Sequence, residues 1–273
     1  MLTITLFVIL ISLFCGYGYW TNRQLDTENL IITTKDLPTP LEDLKITHIS
    51  DIHLRRFRID IDLFIQRIKD TQPDFIFITG DTIDRTEDLD TSLIQTVITQ
   101  IAVIAPTFVI EGNHETSCNN YQKWRKLMHD SHATLLENEA IILTHNGQEF
   151  GIVGLKNTVT TLDSELIDSL EKLPTVFVLA HHPELFSDYV KNLSRLPLVA
   201  IFSGHAHGGQ IRIPYIGGLL SPHQGTFPRY TSGCYNHPNS TAQLVVSRGL
   251  SNSRFPFRIN NKPHLISITL KRT

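Results

Sequence analysis

Five short segments of the chain carry side chains of the types that bind divalent metal ions. They contain carboxylates, imidazoles and one amide, and they are Asp51-Ile52-His53, Gly80-Asp81, Gly112-Asn113-His114, His181-His182 and Gly204-His205-Ala206-His207. Such mixed oxygen and nitrogen ligands suit Mn, Fe or Zn, whereas calcium takes only oxygen. Two such ions about 3.5–4 Å apart can clamp a phosphate and turn a water into hydroxide near neutral pH. The residue types therefore predict a dimetal site with hydrolytic chemistry.

Short apolar runs precede nearly all of these segments. The runs are rich in β-branched and aromatic residues, and they occupy positions 45–49, 75–78, 107–110, 176–179 and 198–202. Their length and composition predict buried strands. In α/β sheets, functional residues collect at the carboxyl ends of strands. Five strand ends that bring Asp, His and Asn together indicate a metal site rather than a hydrophobic core.

Between the runs, the apolar residues change to helical spacing. The stripes lie at positions 61, 64, 65 and 68, at 93, 94, 97, 98 and 101, and at 185, 186, 189, 190 and 193. They predict helices whose apolar faces cover a sheet. Later runs at 140–143, 148–153, 244–246 and 265–270 predict further strands. The pattern favours a largely buried α/β sheet structure with helices outside.

In order and content, the five segments resemble the calcineurin-like metallophosphoesterases. That family carries Asp-x-His, Gly-Asp, Gly-Asn-His-Glu/Asp, a lone His and Gly-His-x-His, and this chain carries all five over roughly residues 45–208. The resemblance implies an α/β fold in which two sheets form a sandwich flanked by helices, in the layer order αββα. It also implies hydrolysis of phosphoesters with two divalent metal ions, Mn before Fe or Zn.

The resemblance implies a ligand set for each ion. The first ion would be held by Asp51, His53, Asp81 and His207. The second would be held by Asp81, Asn113, His181 and His205. Asp81 would therefore bridge the two ions, because two close cations need a shared anion between them. In the family's register His181 is the ligand, and His182 is a pocket residue or a cap before Pro183.

His114 is predicted to be catalytic rather than a ligand. It follows Asn113 on the same loop, from which it can protonate the leaving-group oxygen as a general acid. A carboxylate would orient the imidazole and raise its pKa, and Asp84 is the candidate. The segment 80–85 resembles that of protein Ser/Thr phosphatases, although Thr86 replaces their glycine. Arg85 either meets phosphate, as in that branch, or is solvated.

Residues 208–240 are punctuated by Gly, Pro and aromatic residues, which is typical of a functional lid. With 247–250 and 258–261, they resemble a membrane-associated bacterial branch of the family. That branch includes enzymes that split the pyrophosphate of UDP-2,3-diacylglucosamine. Arg229, His223 and Arg248 are the candidate contacts for a substrate phosphate, and the alternative is a structural loop with solvated arginines.

The amino-terminal stretch, residues 2–19, is uncharged and long enough to span a bilayer. Tyr17, Tyr19 and Trp20 follow where an aromatic belt would lie. We expect residues 1–20 to be an uncleaved transmembrane anchor, because no Lys or Arg precedes the stretch and no small-x-small cleavage site follows it. Residues 21–44 are predicted to be a polar tether, and residues 45–273 the catalytic domain.

The charges and the cysteines indicate the orientation in the membrane and restrict the kinds of binding partner. Arg23 and Lys35 after the span favour a cytoplasmic catalytic domain. A formal net charge of −3 provides no basic field for nucleic acid, which argues against a nuclease. Three cysteines give no paired framework, and no obligate protein partner is inferred.

The expected function is that of a membrane-anchored dimetal hydrolase that uses a metal-activated hydroxide. The anchor suits a lipid-linked or nucleotide-linked phosphoester. Two alternatives remain open: a protein phosphatase, and a non-enzymatic metal-binding scaffold of the same fold.

Overall fold

The structure, a computed structural model, describes residues 1–86, 88–252 and 255–273. The strands are β1 Asp26–Thr34, β2 Lys45–Ile49, β3 Phe75–Thr79, β4 Thr107–Ile110, β5 Thr134–Leu135, β6 Glu139–His145, β7 Gln148–Gly154, β8 Val176–Leu179, β9 Leu198–Ser203, β10 Arg212–Ile213, β11 Gly217–Gly218, β12 Leu220–Ser221, β13 Gly225–Thr226, β14 Gly233–Asn236, β15 Gln243–Val246 and β16 His264–Arg272. The α-helices are α1 Leu2–Thr21, α2 Ile61–Asp70, α3 Thr91–Ala102, α4 Asn113–Thr116, α5 Tyr121–Asp130, α6 Ser164–Leu170 and α7 Phe186–Asn192. Single 3₁₀ turns occupy Thr39–Leu41, Leu54–Arg56, Pro183–Leu185 and His207–Gly209.

Two six-stranded sheets form the body of the protein. The first has the order β1-β16-β2-β3-β4-β5, and the second has the order β14-β15-β9-β8-β7-β6. Strands β2 to β5 run parallel in the first sheet, as do β7, β8, β9 and β15 in the second. The carboxyl ends of neighbouring parallel strands therefore meet at one edge of each sheet, where functional residues collect.

Phenylalanine side chains fill the layer between the two sheets. Phe77 of the first sheet lies with its ring centroid 5.0 Å from that of Phe202 in the second sheet, in an edge-to-face arrangement. A second buried cluster joins the first sheet to α2, α3 and α5, and a third joins the second sheet to α7. The layers are thus helix, sheet, sheet and helix, which confirms the predicted αββα sandwich.

The helices bury the apolar stripes that their sequences predicted. In α2 the buried side chains are Phe64, Ile65 and Ile68, and α3 buries its own stripe in the same way. Both helices begin at an aspartate: Asp60 accepts a hydrogen bond from Leu63 N, and Asp90 accepts one from Leu93 N. Local capping and side-chain spacing thus determine where these helices start and which face they bury.

The predicted polar tether over residues 21–44 is wrong for residues 26–34. These residues form β1, which pairs in parallel with β16 along its whole length, from Asp26 opposite His264 to Thr34 opposite Arg272. Ile32 of β1 is completely buried. Asp, Glu and Thr give this segment a polar composition, but its pairing partner lies at the far end of the chain. Local composition could not reveal that pairing.

Helix α1 is the one described helix that is long and apolar enough to cross a membrane. Its candidate span, Thr3–Thr21, has a mean hydropathy of 1.7, and 6% of it is buried. The end of the helix contacts the body: the Tyr17 hydroxyl donates to Asn260 Oδ1 at 2.8 Å, and Asn22 Nδ2 donates to the Pro256 carbonyl at 2.8 Å. Tyr17 near the end of α1 and Asn22 just after it therefore hold the helix against the segment 255–261.

Candidate metal centre

The predicted ligands converge in two groups that share one carboxylate. Ligand atoms of Asp51, His53, Asp81 and His207 lie within 4.8 Å of one another, and those of Asp81, His181 and His205 form a second such group. Asn113 joins the second group, because its Oδ1 lies 3.2 Å from His181 Nε2. The structure therefore brings all seven predicted ligand residues together, with Asp81 in both groups.

Spacing within the groups fits ligands that surround a cation. Asp81 Oδ2 lies 3.8 Å from His53 Nε2 on one side and 3.3 Å from His181 Nε2 on the other. Asp51 Oδ1 lies 3.4 Å from His207 Nε2, and His205 Nδ1 lies 3.2 Å from His181 Nε2. These atoms face a common interior, and the carboxylate of Asp81 is placed to bridge.

The ligands lie on loops that follow strands of both sheets, and the backbone of these loops is strained. Asp51 and His53 follow β2, Asp81 follows β3, and Asn113 follows β4, whereas His181 follows β8 and His205 and His207 follow β9. Positive φ angles occur at five of the seven ligands, namely Asp51, His53, Asp81, His205 and His207. Each costs on the order of 1 kcal/mol or more and persists where surrounding structure enforces it, typically at functional sites.

Two motif glycines are required because backbone and ligand approach closely. A Cβ on Gly112 would collide with Oδ1 of Asp81, and a Cβ on Gly204 would collide with Ser50 Oγ and Asp51 Oδ2. The backbone N–H of His205 donates to Asp51 at 3.1 Å, so the loop after β9 is fastened to the loop after β2. These glycines let loops from the two sheets meet at the ligands.

The orientation of three imidazoles fits binding of a metal ion. The Nδ1 atoms of His53, His181 and His207 lie 3.0, 2.7 and 3.1 Å from the carbonyls of Ile83, Thr79 and Ser251. Donation to those carbonyls leaves each Nε2 lone pair facing the carboxylates. Within the described part of the chain, the buried His53 Nε2 has no hydrogen-bond partner. An orphaned nitrogen among carboxylates fits a bound cation, so the residues present fit the two divalent ions that the sequence predicts.

Electrostatics within the groups favour positive charge between them. Burial raises the pKa of Asp81, but the neighbouring histidines, His181 first, outweigh it and hold the pKa well below its usual range. Burial also lowers the pKa of His181, yet the Asp81 carboxylate raises it to about 10. Burial lowers the pKa of His53 to about 4 and that of His207 to about 3. Metal binding should therefore release a proton from the second group.

His114 lies beside both groups without belonging to either. Its Nδ1 accepts a hydrogen bond from Arg85 N at 3.1 Å, and its Nε2 lies 4.0 Å from Asp81 Oδ2. The neutral ring therefore carries its proton on Nε2, the nitrogen nearer the ligands. Asp84 Oδ2 lies 3.6 Å from His114 Nδ1 and 3.1 Å from Arg56 Nε. Asp84 is thus beside the imidazole at ion-pair distance, while Arg85 supplies the direct hydrogen bond through its backbone.

Glu115 is a site residue to which the sequence reasoning gave no role. Its buried carboxylate accepts backbone hydrogen bonds of 2.7–3.2 Å from Asp81, Thr82, Ile83 and Gly112. Burial, followed by the charge of Asp81, raises its pKa to about 7. Glu115 therefore fixes the loop that carries Asp81 against the loop that carries Asn113. Its place next to His114 in the Gly-Asn-His-Glu motif was the available signal.

The predicted substrate contacts lie in different surroundings. His223 is on the rim, where its Nδ1 lies 2.9 Å from Nε2 of ligand His205. The exposed Arg229 stacks its guanidinium over Tyr230. Arg248 donates to Asp26 at 2.6 Å and to Ser232 at 3.2 Å, contacts that hold β1 to the second sheet. Its predicted role in substrate binding stays a prediction, and these contacts give it a structural role.

Comparison with known proteins agrees with this geometry. The family described as Calcineurin-like phosphoesterase matches residues 44–209. The chain is 30% identical to the uncharacterized metallophosphoesterase YkuE of Bacillus subtilis, over 94% of this chain and 91% of that protein. It is 25% identical to the Bos taurus transmembrane protein with metallophosphoesterase domain, over 86% of this chain and 54% of that one. It is 24% identical to the UDP-2,3-diacylglucosamine pyrophosphatase LpxG of Chlamydia muridarum, over 85% of this chain and 86% of that protein.

Family match, relatives and ligand geometry lead to one assignment. The chain belongs to the calcineurin-like phosphoesterase family and is a metallophosphoesterase, a hydrolase of phosphoric esters.

Proposed function

We propose that the chain is a membrane-anchored dimetal hydrolase whose substrate is a phosphoester linked to a lipid, with a nucleotide-linked lipid as the leading class. The observation that carries the hydrolytic part is the convergence of seven ligands on Asp81, with His114 next to them. When bound, a pair of divalent ions supplies Lewis acidity to phosphoryl oxygens and lowers the pKa of water. Mn is the leading candidate, with Fe and Zn as alternatives.

Residues of the chain perform the remaining steps. Asp81 holds negative charge between the two ligand groups, and Glu115 fixes its loop. His114 presents Nε2 toward the ligands, and its cationic form can pass the Nε2 proton to the departing oxygen and return to the neutral ring. The carboxylate of Asp84 lies 3.6 Å from His114 Nδ1, where it can orient the ring. Proton donation by a positioned group typically contributes about 10²–10⁴-fold to the rate.

Contacts at the end of α1 support a substrate in the membrane. Tyr17 contacts Asn260, and the next residue, Asn261, donates from Nδ2 to the His207 carbonyl at 2.8 Å. One short segment therefore separates the candidate membrane span from a metal ligand. A membrane surface at α1 would lie next to the site, so a lipid-linked phosphate could reach the ligands without leaving the bilayer surface.

The loop region after the last ligand adds apolar surface on the same side. Tyr215, Ile216, Leu220 and Phe227 are exposed large apolar side chains of this region. Asn260 connects the region to α1, because it accepts from Tyr17 and its Nδ2 donates to the Arg212 carbonyl. Apolar side chains near a membrane helix favour contact with acyl chains. The name of the relative LpxG, a UDP-2,3-diacylglucosamine pyrophosphatase, supports the same substrate class.

The substrate class can be tested with the full chain in detergent micelles loaded with Mn²⁺. We compare kcat/KM for a nucleotide diphosphate that carries a diacylated sugar with kcat/KM for the same compound without acyl chains. The proposal predicts at least about a tenfold preference for the acylated compound, which corresponds to about 1.4 kcal/mol. Equal values would contradict a lipid substrate. Failure to hydrolyse any phosphoester, including a nitrophenyl ester, would contradict the dimetal hydrolase itself.

Membrane anchoring and sidedness need separate tests. An uncleaved anchor predicts that the chain resists extraction by alkaline carbonate and that its mature amino terminus lies before residue 10, whereas a mature chain that begins after Trp20 would contradict it.

We propose a cytoplasmic catalytic domain on the basis of Arg23 and Lys35 after the span. The exposed Cys234 is a natural probe. A membrane-impermeant maleimide should label it after lysis but not in intact cells, and labelling of intact cells would place the domain outside.

A further inference from the structure

A second cluster of metal-binding side chains lies at the rim of the dimetal ligands. Ligand atoms of His182, Glu184, His205 and His223 lie within 4.8 Å of one another. Glu184 Oε1 lies 2.9 Å from His182 Nδ1 and 3.5 Å from His223 Nδ1, and His223 Nδ1 lies 2.9 Å from His205 Nε2. Three of these four residues are outside the two ligand groups described above.

The chain builds this rim cluster from two separate segments. His182 and Glu184 flank Pro183, which begins the 3₁₀ turn Pro183–Leu185 and turns both side chains to one side. His223 lies between β12 and β13, in a left-handed conformation with φ of 57°. The neighbouring Gln224 fastens this loop, because it donates to the Tyr230 carbonyl and accepts from Tyr230 N, both at 2.9 Å. A strained residue in a fastened loop is characteristic of a functional position.

Hydrogen bonds join the side chains of this cluster, and His182 Nε2 also lies 2.6 Å from Asn157 Oδ1, which fixes the ring with Nδ1 toward Glu184. Both His182 and His223 approach the same oxygen of Glu184, whereas Glu184 Oε2 is buried without a hydrogen-bond partner among the described residues. The rings of His205 and His223 stack with an angle of 11°, with nitrogen facing nitrogen. Two imidazole nitrogens beside a carboxylate with one buried, unpartnered oxygen form a set that fits a cation.

His205 differs from the other ligand imidazoles in what its second nitrogen faces. In His53, His181 and His207 that nitrogen lies against a backbone carbonyl, which fixes the ring. In His205 it faces a histidine side chain of the rim instead. The imidazole of His205 therefore connects the dimetal ligands with the rim cluster.

We propose that His182, Glu184 and His223 bind a third divalent ion, of the zinc class, next to His205. Two histidines and one glutamate are a set that zinc accepts, with the remaining position open to a water or to a substrate oxygen. A cation at this rim would bind a second anionic group of the substrate beside the reacting phosphate. His223 then acts through the ion rather than by direct contact with phosphate.

The test counts ions on the full-length chain in detergent. Metal-free protein is titrated with Zn²⁺, unbound ion is removed, and zinc per chain is measured by elemental mass spectrometry. We expect three ions on the native chain and two on Glu184→Gln and on His223→Ala. His129→Ala, which removes an exposed histidine at the end of α5, is the matched control and should retain three. Two ions retained on a rim variant also show that the variant has folded.

The same measurement separates the rim ion from its alternatives. Saturation of the native chain at two ions, or three ions on both rim variants, would overturn the proposal. Two ions on the native chain and one on His223→Ala would show that His223 only orients His205, which also overturns it. Asp81→Asn tests the dimetal centre and should leave the rim ion bound. A failure of the dimetal assignment is therefore distinguishable from a failure at the rim.

Discussion

The two ligand groups at Asp81 are built differently. The first, with Asp51, His53 and His207, is wholly buried, and both imidazoles lie against backbone carbonyls. In the second, Asn113 is partly exposed and His205 faces His223, whose side chain is 63% exposed. Backbone geometry thus fixes the first group, whereas loop side chains complete the second. We therefore expect substrate exchange and specificity to depend on the second group, and tight retention of metal to depend on the first.

The largest expected effect comes from the one residue that both groups share. Asp81→Asn removes the bridging charge, so the affinity for both ions should fall. Turnover should fall by about 10³-fold, which corresponds to several kcal/mol of lost transition-state stabilisation. Elemental analysis and nitrophenyl ester hydrolysis measure the two effects. Asp36→Asn, an exposed aspartate before the first 3₁₀ turn, is the control. A full pair of ions with normal turnover in Asp81→Asn would show that Asp81 does not bridge the two ions.

A loss of turnover without loss of metal should follow from a change at His114, which belongs to neither group. His114→Asn should lower turnover by about 10²–10⁴-fold on alkyl esters, whose leaving groups need a proton, and much less on nitrophenyl esters. Both ions should stay bound. Asp84→Asn should show the same pattern more weakly, because its charge lies 3.6 Å from His114 Nδ1. Equal losses on both esters, with metal retained, would mean that His114 positions phosphate and donates no proton.

Glu115 supports loops of both groups, so a change at this residue should affect both. Glu115→Gln replaces one of the carboxylate oxygens that accept the backbone N–H groups of Asp81 and Gly112. Supporting partners of this kind typically contribute about 10–100-fold to metal affinity. In a competition with a chelator, we expect the affinity for both ions to fall together. The control Glu149→Gln, at an exposed glutamate of β7, should leave both affinities unchanged. Loss of one ion alone would show that Glu115 serves a single group.

A separate effect concerns the stability of the fold at low pH, because acid unfolding must be distinguished from metal loss before the two groups are compared in acid. Burial lowers the pKa of His264 to about 4. Its Nδ1 accepts from Arg248 N at 3.2 Å and its Nε2 lies 2.8 Å from Glu28, so the neutral ring is the form that fits. The unfolded histidine titrates near 6.5, and the unfolded state therefore binds more protons between pH 6.5 and 4.

This His264 contribution to stability should be complete above pH 6.5 and lost as the pH falls through about 4. The slope for one proton is at most about 1.4 kcal/mol per pH unit. His264→Gln keeps one donor and one acceptor without a titrating group, so denaturant unfolding of the metal-free variant should depend less steeply on pH over this interval. Identical slopes for both proteins would show that His264 does not carry this acid sensitivity.

The convergence of the candidate ligand residues could be predicted because its signal in the sequence is local. Each follows a short apolar run in the sequence, and Gly112 and Gly204 mark the places where loops from different sheets touch. The features that were not predicted from the sequence depend on pairing between distant segments of the chain. Strand β1 is a strand because β16 pairs with it, and Arg248 is occupied because β1 brings Asp26 to it. The role of Glu115 likewise depends on N–H groups more than thirty residues away.

Anomalous diffraction can show whether two ions share the carboxylate of Asp81. Crystals of the full chain grown with Mn²⁺ are measured at the manganese absorption edge. We expect two peaks about 3.5–4 Å apart, one on each side of the Asp81 carboxylate. Asp51, His53 and His207 should surround one peak, and Asn113, His181 and His205 the other. A single peak at Asp81, or two peaks that do not share its carboxylate, would contradict the account.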